Sequence, residues 1–201
     1  MKKRSYVSEL IYLGYEYNIA ESYLSDTKKR IDEEKKDFYI SQKEESRKNI
    51  LSTFESLDKK TRNSLLSRIE ETKNVCLGPI PKQTNHCEAR IIYARGNACK
   101  SVLNIYFEDY VAKKISDMQK IFELDNKRDY NKALKELKIA LKDSGETVLQ
   151  QTSKFLQNKI TKNDTSDIRT NKTEEILFNL IERVQGKETT FPTLEEIQNL
   201  R

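Results

Sequence analysis

From Leu10 the chain places apolar or small side chains at Leu10, Leu13, Tyr17, Ala20 and Leu24, and the alternating steps of three and four continue through Thr27, Ile31, Glu34 and Phe38. Steps of that kind draw one stripe down a helix and repeat as a heptad-like seam. Thr27 and Glu34 weaken the seam, so the pattern predicts a packed helical hairpin rather than a two-helix coiled coil held by the seam alone. Ser41-Gln-Lys-Glu44 has capping-box spacing and predicts the start of a second helix. Its apolar positions are Ile50, Leu51, Phe54, Leu57, Leu65, Leu66 and Ile69, and they run to about Val75.

Gly78-Pro-Ile-Pro81 is the clearest break, because proline removes a donor and biases the residue before it away from helix. Asn85 followed by Glu88 restarts helix. The stretch from 86 to 124 is apolar over more than one face, with Ile91, Ile92, Val102, Leu103, Ile105, Tyr106, Phe107, Val111, Ile115, Met118, Ile121 and Phe122. A helix apolar over so wide an arc needs neighbours on several sides, which predicts a central helix. A further helix runs from about Tyr130 to Lys142, and Asp143-Ser-Gly-Glu146 both stops it and starts another. Residues 161–172 read as a polar linker, Glu174 to Val184 as a short helix ending at Gly186, and Thr193-Leu-Glu-Glu196 as the cap of a last fragment.

The fold class expected is therefore all-α: a long-helix bundle or helical hairpin with heptad-like seams, a central apolar helix and a smaller helical C-terminal part. The parts expected are a long-helix bundle over 1–125, a basic amphipathic segment over 126–160, a polar linker over 161–172 and a short acidic helical tail over 173–201. Composition supports this. Of 201 residues 36% are hydrophobic and 34% charged, with only five glycines and three prolines, which implies a thin core and leaves little for a turn-rich β fold.

The net charge of +5 is spread unevenly: residues 126–163 hold nine Lys or Arg against four Asp or Glu, and 164–201 hold five against eight. Cys76, Cys87 and Cys99 are an odd number and predict free thiols in a reducing compartment. Met1-Lys-Lys-Arg4 is basic, but Glu9 and Glu16 interrupt the segment after it, and no apolar run approaches the roughly 20 residues that span a bilayer. The expectation is an intracellular, cytoplasmic or nuclear chain with no signal peptide, transmembrane segment or membrane partner. On that expectation the sequons at Asn163 and Asn171 are chance matches.

The three cysteines and His86, the only histidine, fall within 24 residues. Zinc sites usually draw their ligands in close pairs such as Cys-x2-Cys, whereas here Cys76 stands alone and His86 and Cys87 are adjacent, so no metal is expected. No cysteine-hydrolase signature, nucleophile elbow, glycine-rich phosphate loop or Glu-x-x-His pair is present, so no enzyme, cofactor or small-molecule substrate is expected either. Arg90 and Arg95 sit in the apolar stretch, where snorkelling or an internal ion pair is the ordinary reading.

Two features point outward. Lys127, Arg128, Lys132, Lys135, Lys138 and Lys142 recur at helical spacing opposite Leu134, Leu137 and Leu141, making a basic amphipathic helix that suits a phosphate backbone or another acidic surface. A solvated lysine face is the plainer reading. Half of the ten tyrosines lie between Tyr6 and Tyr23, and Tyr12, Tyr15 and Tyr23 fall off the seam as a candidate partner surface, unless they cover other helices of the bundle. The function expected is a non-enzymatic helical scaffold or subunit working through protein contacts in an assembly, self-association included, with nucleic-acid association through 127–142 as the alternative.

The order Glu9-Leu-Ile11, Asp37-Phe-Tyr39 and Arg95-Gly-Asn-Ala-Cys99 resembles the helical half of subunits of the GINS replication complex. The resemblance covers short scattered pieces and assigns no residue a role. The small β domain of such subunits has no counterpart in this pattern.

Overall fold

A computed structural model describes residues 5–25, 33–81, 83–162, 168–189, 193 and 195–196. It is 87% helical, with seven helices and no strand among the described residues. In chain order they are α1 (Tyr6–Ser25), α2 (Glu33–Glu55), α3 (Lys59–Leu77), α4 (His86–Phe122), α5 (Lys127–Ser144), α6 (Glu146–Lys162) and α7 (Ile168–Val184). The chain divides into two compact units, Met1–Tyr106 and Phe107–Arg201, with the division inside α4. The expected 1–125 bundle is thus longer than the first unit.

In the first unit α1 pairs with α2 and also packs on α3. Leu10, Leu13 and Ala20 of the seam are buried and Tyr17 and Leu24 half-buried, but Phe38 is 61% exposed. The seam therefore serves α1 and does not continue as a buried stripe into α2, while Thr27 and Ile31 lie outside the described residues. Phe54 of α2 meets Tyr106 of α4 at 4.7 Å between ring centroids. At Gly14 the backbones of α1 and α4 approach closely, since a Cβ there would stand 2.5 Å from the Ala98 carbonyl oxygen. Only glycine permits that approach. One turn further along α1, the Ser101 hydroxyl donates to Asn18 Oδ1 at 2.6 Å.

Three boundaries differ from the sequence expectation. Ser41 to Glu44 lie inside α2, which begins at Glu33. The expected single helix from 41 to 75 breaks at Ser56-Leu57-Asp58, where Asp58 becomes the N-cap of α3 and its side chain accepts from the Thr61 N–H at 3.0 Å. That cap satisfies a donor the helix start would otherwise orphan. Helix α7 begins at Ile168 and α6 ends at Lys162, so both ends of the expected 161–172 linker are helical and its middle lies outside the described residues.

The other punctuation falls where the residues placed it. Asn85 Oδ1 accepts from the Glu88 N–H at 2.9 Å and starts α4. Gly145 alone separates α5 from α6, at φ +97°. Gly186 follows α7 at φ +87°, and the N–H groups of Gly186 and Lys187 return to the carbonyls of Arg183 and Glu182, a left-handed cap closing the helix end. Thr193 and Glu196 exchange bonds reciprocally, the Thr193 N–H to the Glu196 carboxylate at 2.7 Å and the Glu196 N–H to the Thr193 hydroxyl at 3.3 Å.

The second unit packs α5, α6 and α7 mutually, around Val111, Met118, Ile121, Tyr130, Leu137, Leu141, Leu149, Leu156, Leu177 and Leu180. Its core also takes polar groups. Thr152, Ser153, Glu174 and Glu182 are all buried. Lys159 reaches Oε1 of Glu174, while the Glu174 Oε2 is buried with no hydrogen-bond partner among the described residues.

Candidate functional site

Helix α5 turns Tyr130, Leu137 and Leu141 into the core, which sends the remaining arc of the helix to solvent. Of the six cations singled out in sequence, Lys127, Arg128, Lys132, Lys135 and Lys142 are exposed, and none of the five pairs with another described residue. Lys138 departs from the expected row because it is half-buried. Burial, and then the charge of Arg183 on α7, hold its ammonium below the ordinary lysine value.

The tyrosine surface is divided by the fold. Tyr12 and Tyr23 are exposed, and Ile19, seven residues from the first and four from the second, joins them on one outward stripe of α1. Tyr15, three residues from Tyr12 and four from Ile19, flanks that stripe and is half-buried at the α4 side. Burial pushes its phenol up, Arg95 pulls it down, and the nearby Cys99 and Cys76 push it up further. Tyr15 is therefore less exposed than Tyr12 and Tyr23, at the inner flank of the stripe. Tyr23 stacks on Tyr39 of α2 at 4.3 Å between centroids, and Phe38 meets the edge of Tyr39 at 5.3 Å. Beside the stripe, Lys43 bridges Glu21 at 3.3 Å and lies 5.2 Å from the Tyr17 ring centroid. Sequence reasoning missed Ile19, Phe38 and Ile40, all exposed; a seam that places Phe38 inward hides its exposure.

The first turns of α4, expected as core, project apolar side chains instead: Ile91 is 67% and Tyr93 55% exposed, and Arg90 and Arg95 are exposed with them. Leu77 ends α3 against Gly96, so the helix beyond that point has no α3 residue left to cover it. His86 and Cys99 stand 13 residues apart on one helix, about 20 Å along its axis. They cannot share an ion or a proton in this structure. Among the described residues no group of three or more His, Cys, Asp or Glu is placed to hold a metal. Burial pushes the Cys99 thiol up to about 11, with Cys76 adding to the rise and Arg95 opposing it, so at neutral pH it is a protonated packing group.

Two open clefts of about 500 Å³ are also present. One lies between α6 and α7 over Ser153, Phe178 and Glu182, the other between α1 and α3 over Tyr6, Lys60 and Arg68. In the first, the Ser153 hydroxyl donates to Glu182 Oε1 at 2.6 Å and Lys187 bridges Oε2. Burial pushes the Glu182 carboxyl up, but Lys187 and Ser153 outweigh it and hold the group below its usual range. Ser153 thus spends its proton on a structural carboxylate and is not an activated nucleophile.

No family model, curated protein or solved structure matches the chain. Among the described residues, no helix is long and apolar enough to cross a membrane.

Proposed function

We propose that the protein is a non-enzymatic helical subunit that acts through protein contacts in a multiprotein assembly, self-association included. The observation that supports this most is the outward stripe of Tyr12, Ile19 and Tyr23 on α1, with Phe38 and Ile40 also exposed on the partner helix of the hairpin. Large amphipathic rings on a rigid helix bring contact area at little entropic cost, which is what interface centres use. Sedimentation of the full chain, together with affinity capture from the native cell, tests it. The triple variant Tyr12→Ser, Ile19→Ser, Tyr23→Ser is expected to keep its helical far-UV spectrum and lose the association. A parent chain that stays monomeric at high concentration and captures no protein overturns the reading.

A second reading, association with nucleic acid through 127–142, is supported by the five exposed cations of α5 that pair with no other described residue. Migration shift with oligonucleotides at low and moderate salt tests it. Binding that weakens steeply with salt is the expected result, and no shift at low salt overturns it.

A further inference from the structure

At 3.6 residues per turn Arg128, Lys132, Lys135 and Lys142 fall within an arc of about 80° and spread over about 21 Å of the α5 axis. Asp129, Glu136 and Asp143 fall along one edge of that arc. Elsewhere in the same unit four lysines are neutralised, Lys113 by Asp109, Lys114 by Asp117, Lys159 by Glu174 and Lys187 by Glu182, while Lys120 and Lys154 stand exposed and singly on α4 and α6. The α5 row is thus where four exposed cations with no partner among the described residues share one face of a single helix. Like charges kept together in this way gain most from an external polyanion.

We propose that this row is a docking surface for the phosphodiester backbone of a nucleic acid, which it holds through phosphates rather than bases. The inference rests on the nucleic-acid reading of 127–142. Three observations favour it over other polyanions and over base recognition. The apolar face of α5 is consumed by the core through Tyr130, Leu137 and Leu141, so apart from Ile139 the helix has no apolar side chain to insert into a lipid surface. The row offers a single exposed apolar anchor, Ile139, where a protein interface would bury several. It carries no aromatic ring on which a base could stack, since Tyr130 is buried, and most of its members are lysines, which meet phosphate as point charges.

The test uses the full chain, fluorescent duplexes of about 20 base pairs in two unrelated sequences, and salt between about 50 and 200 mM. With about four phosphates neutralised, the slope of log affinity against log salt is expected near −4, a loss on the order of a hundred-fold over that range, with the two sequences bound within about two-fold of each other. Lys132→Gln with Lys135→Gln is expected to reduce the slope by about 2. Absence of binding to either duplex at the lowest salt overturns the nucleic-acid reading and this inference together. Binding that differs more than about ten-fold between the sequences, or that ignores the Lys132/Lys135 variant, overturns the backbone contact while association with nucleic acid stands. Preference for phosphatidylserine vesicles or polyglutamate over the duplexes assigns the row to another polyanion and also overturns it.

Discussion

The two units solve the same shortage of apolar residues in opposite ways. In Met1–Tyr106 the buried set is apolar except for Ser46, yet Tyr6, Tyr12, Ile19, Tyr23, Phe38, Ile40, Val75, Ile91 and Tyr93 remain exposed. In Phe107–Arg201 only Ile139 is an exposed large hydrophobic among the described residues, while Thr152, Ser153, Glu174 and Glu182 go inside. The first unit keeps apolar surface for something else to cover. The second covers its own, accepts buried carboxylates, and shows solvent its charge. Surface character and core character therefore vary together, and the protein-contact and polyanion readings fall on different units for that reason.

The largest expected effect tests whether the first unit's core is apolar and tight. Leu103 is 4% exposed, so Leu103→Ala should cost about 2 to 5 kcal/mol through lost burial and the cavity left behind. Thermal melting measures it; a variant that melts like the parent but loses partner binding would move the α4 face from core to interface. Gly14→Ala comes next, at about 1 to 3 kcal/mol, because the new methyl meets the Ala98 carbonyl and backbone cannot step aside cheaply. Amide exchange should show the loosening in α1 first.

Acid is the probe that sharpens the contrast from the other side. The Glu182 carboxyl is held below its usual range, so the stability it contributes is fully present above its unfolded value near pH 4.3 and is lost as pH falls through the lower folded value. Glu182→Gln is expected to lower the melting temperature by about 2 to 4 °C at pH 7, with the gap closing below about pH 4. A gap independent of pH would show that the charge of Glu182 contributes nothing. Smallest of all, Lys135→Ala should change stability by less than about 0.5 kcal/mol, since the side chain is exposed and unpaired among the described residues.

Much of the second unit was legible along the chain because glycine announces a chain reversal: Gly145 and Gly186 both stand at positive φ at helix ends. Asn85 likewise caps the helix it was expected to cap. The α2–α3 break was illegible since Ser56-Leu57-Asp58 contains neither glycine nor proline, and Asp58 reads as one more acid until its bond to Thr61 is seen. Ser41 misled for the converse reason: capping-box spacing also arises by chance inside a polar helix, and propensity let α2 begin earlier. Of the candidate sites, five of the six α5 cations lie where helical spacing put them. Tyr15 and Lys138 do not, because which side of an amphipathic helix counts as outward depends on neighbours such as Arg95 and Arg183 that no local pattern reveals. Buried Glu174 and Glu182 carry no sequence mark at all, acids being ordinarily solvated.

A single residue, Gly145, joins α5 to α6, and this bears on the order in which the second unit assembles. Bringing the two helices together closes almost no loop, so their pairing meets little of the chain-entropy barrier that distant contacts face. Helix α7 arrives from further along the chain and must close more. That connection predicts α5 with α6 as the nucleus: Leu141→Ala is expected to slow refolding, whereas Leu180→Ala on α7 is expected to leave the refolding rate nearly unchanged and speed unfolding, and stopped-flow refolding of the two variants checks it. On that order the carboxylates of α7 are buried only in the last step, on the far side of the transition state.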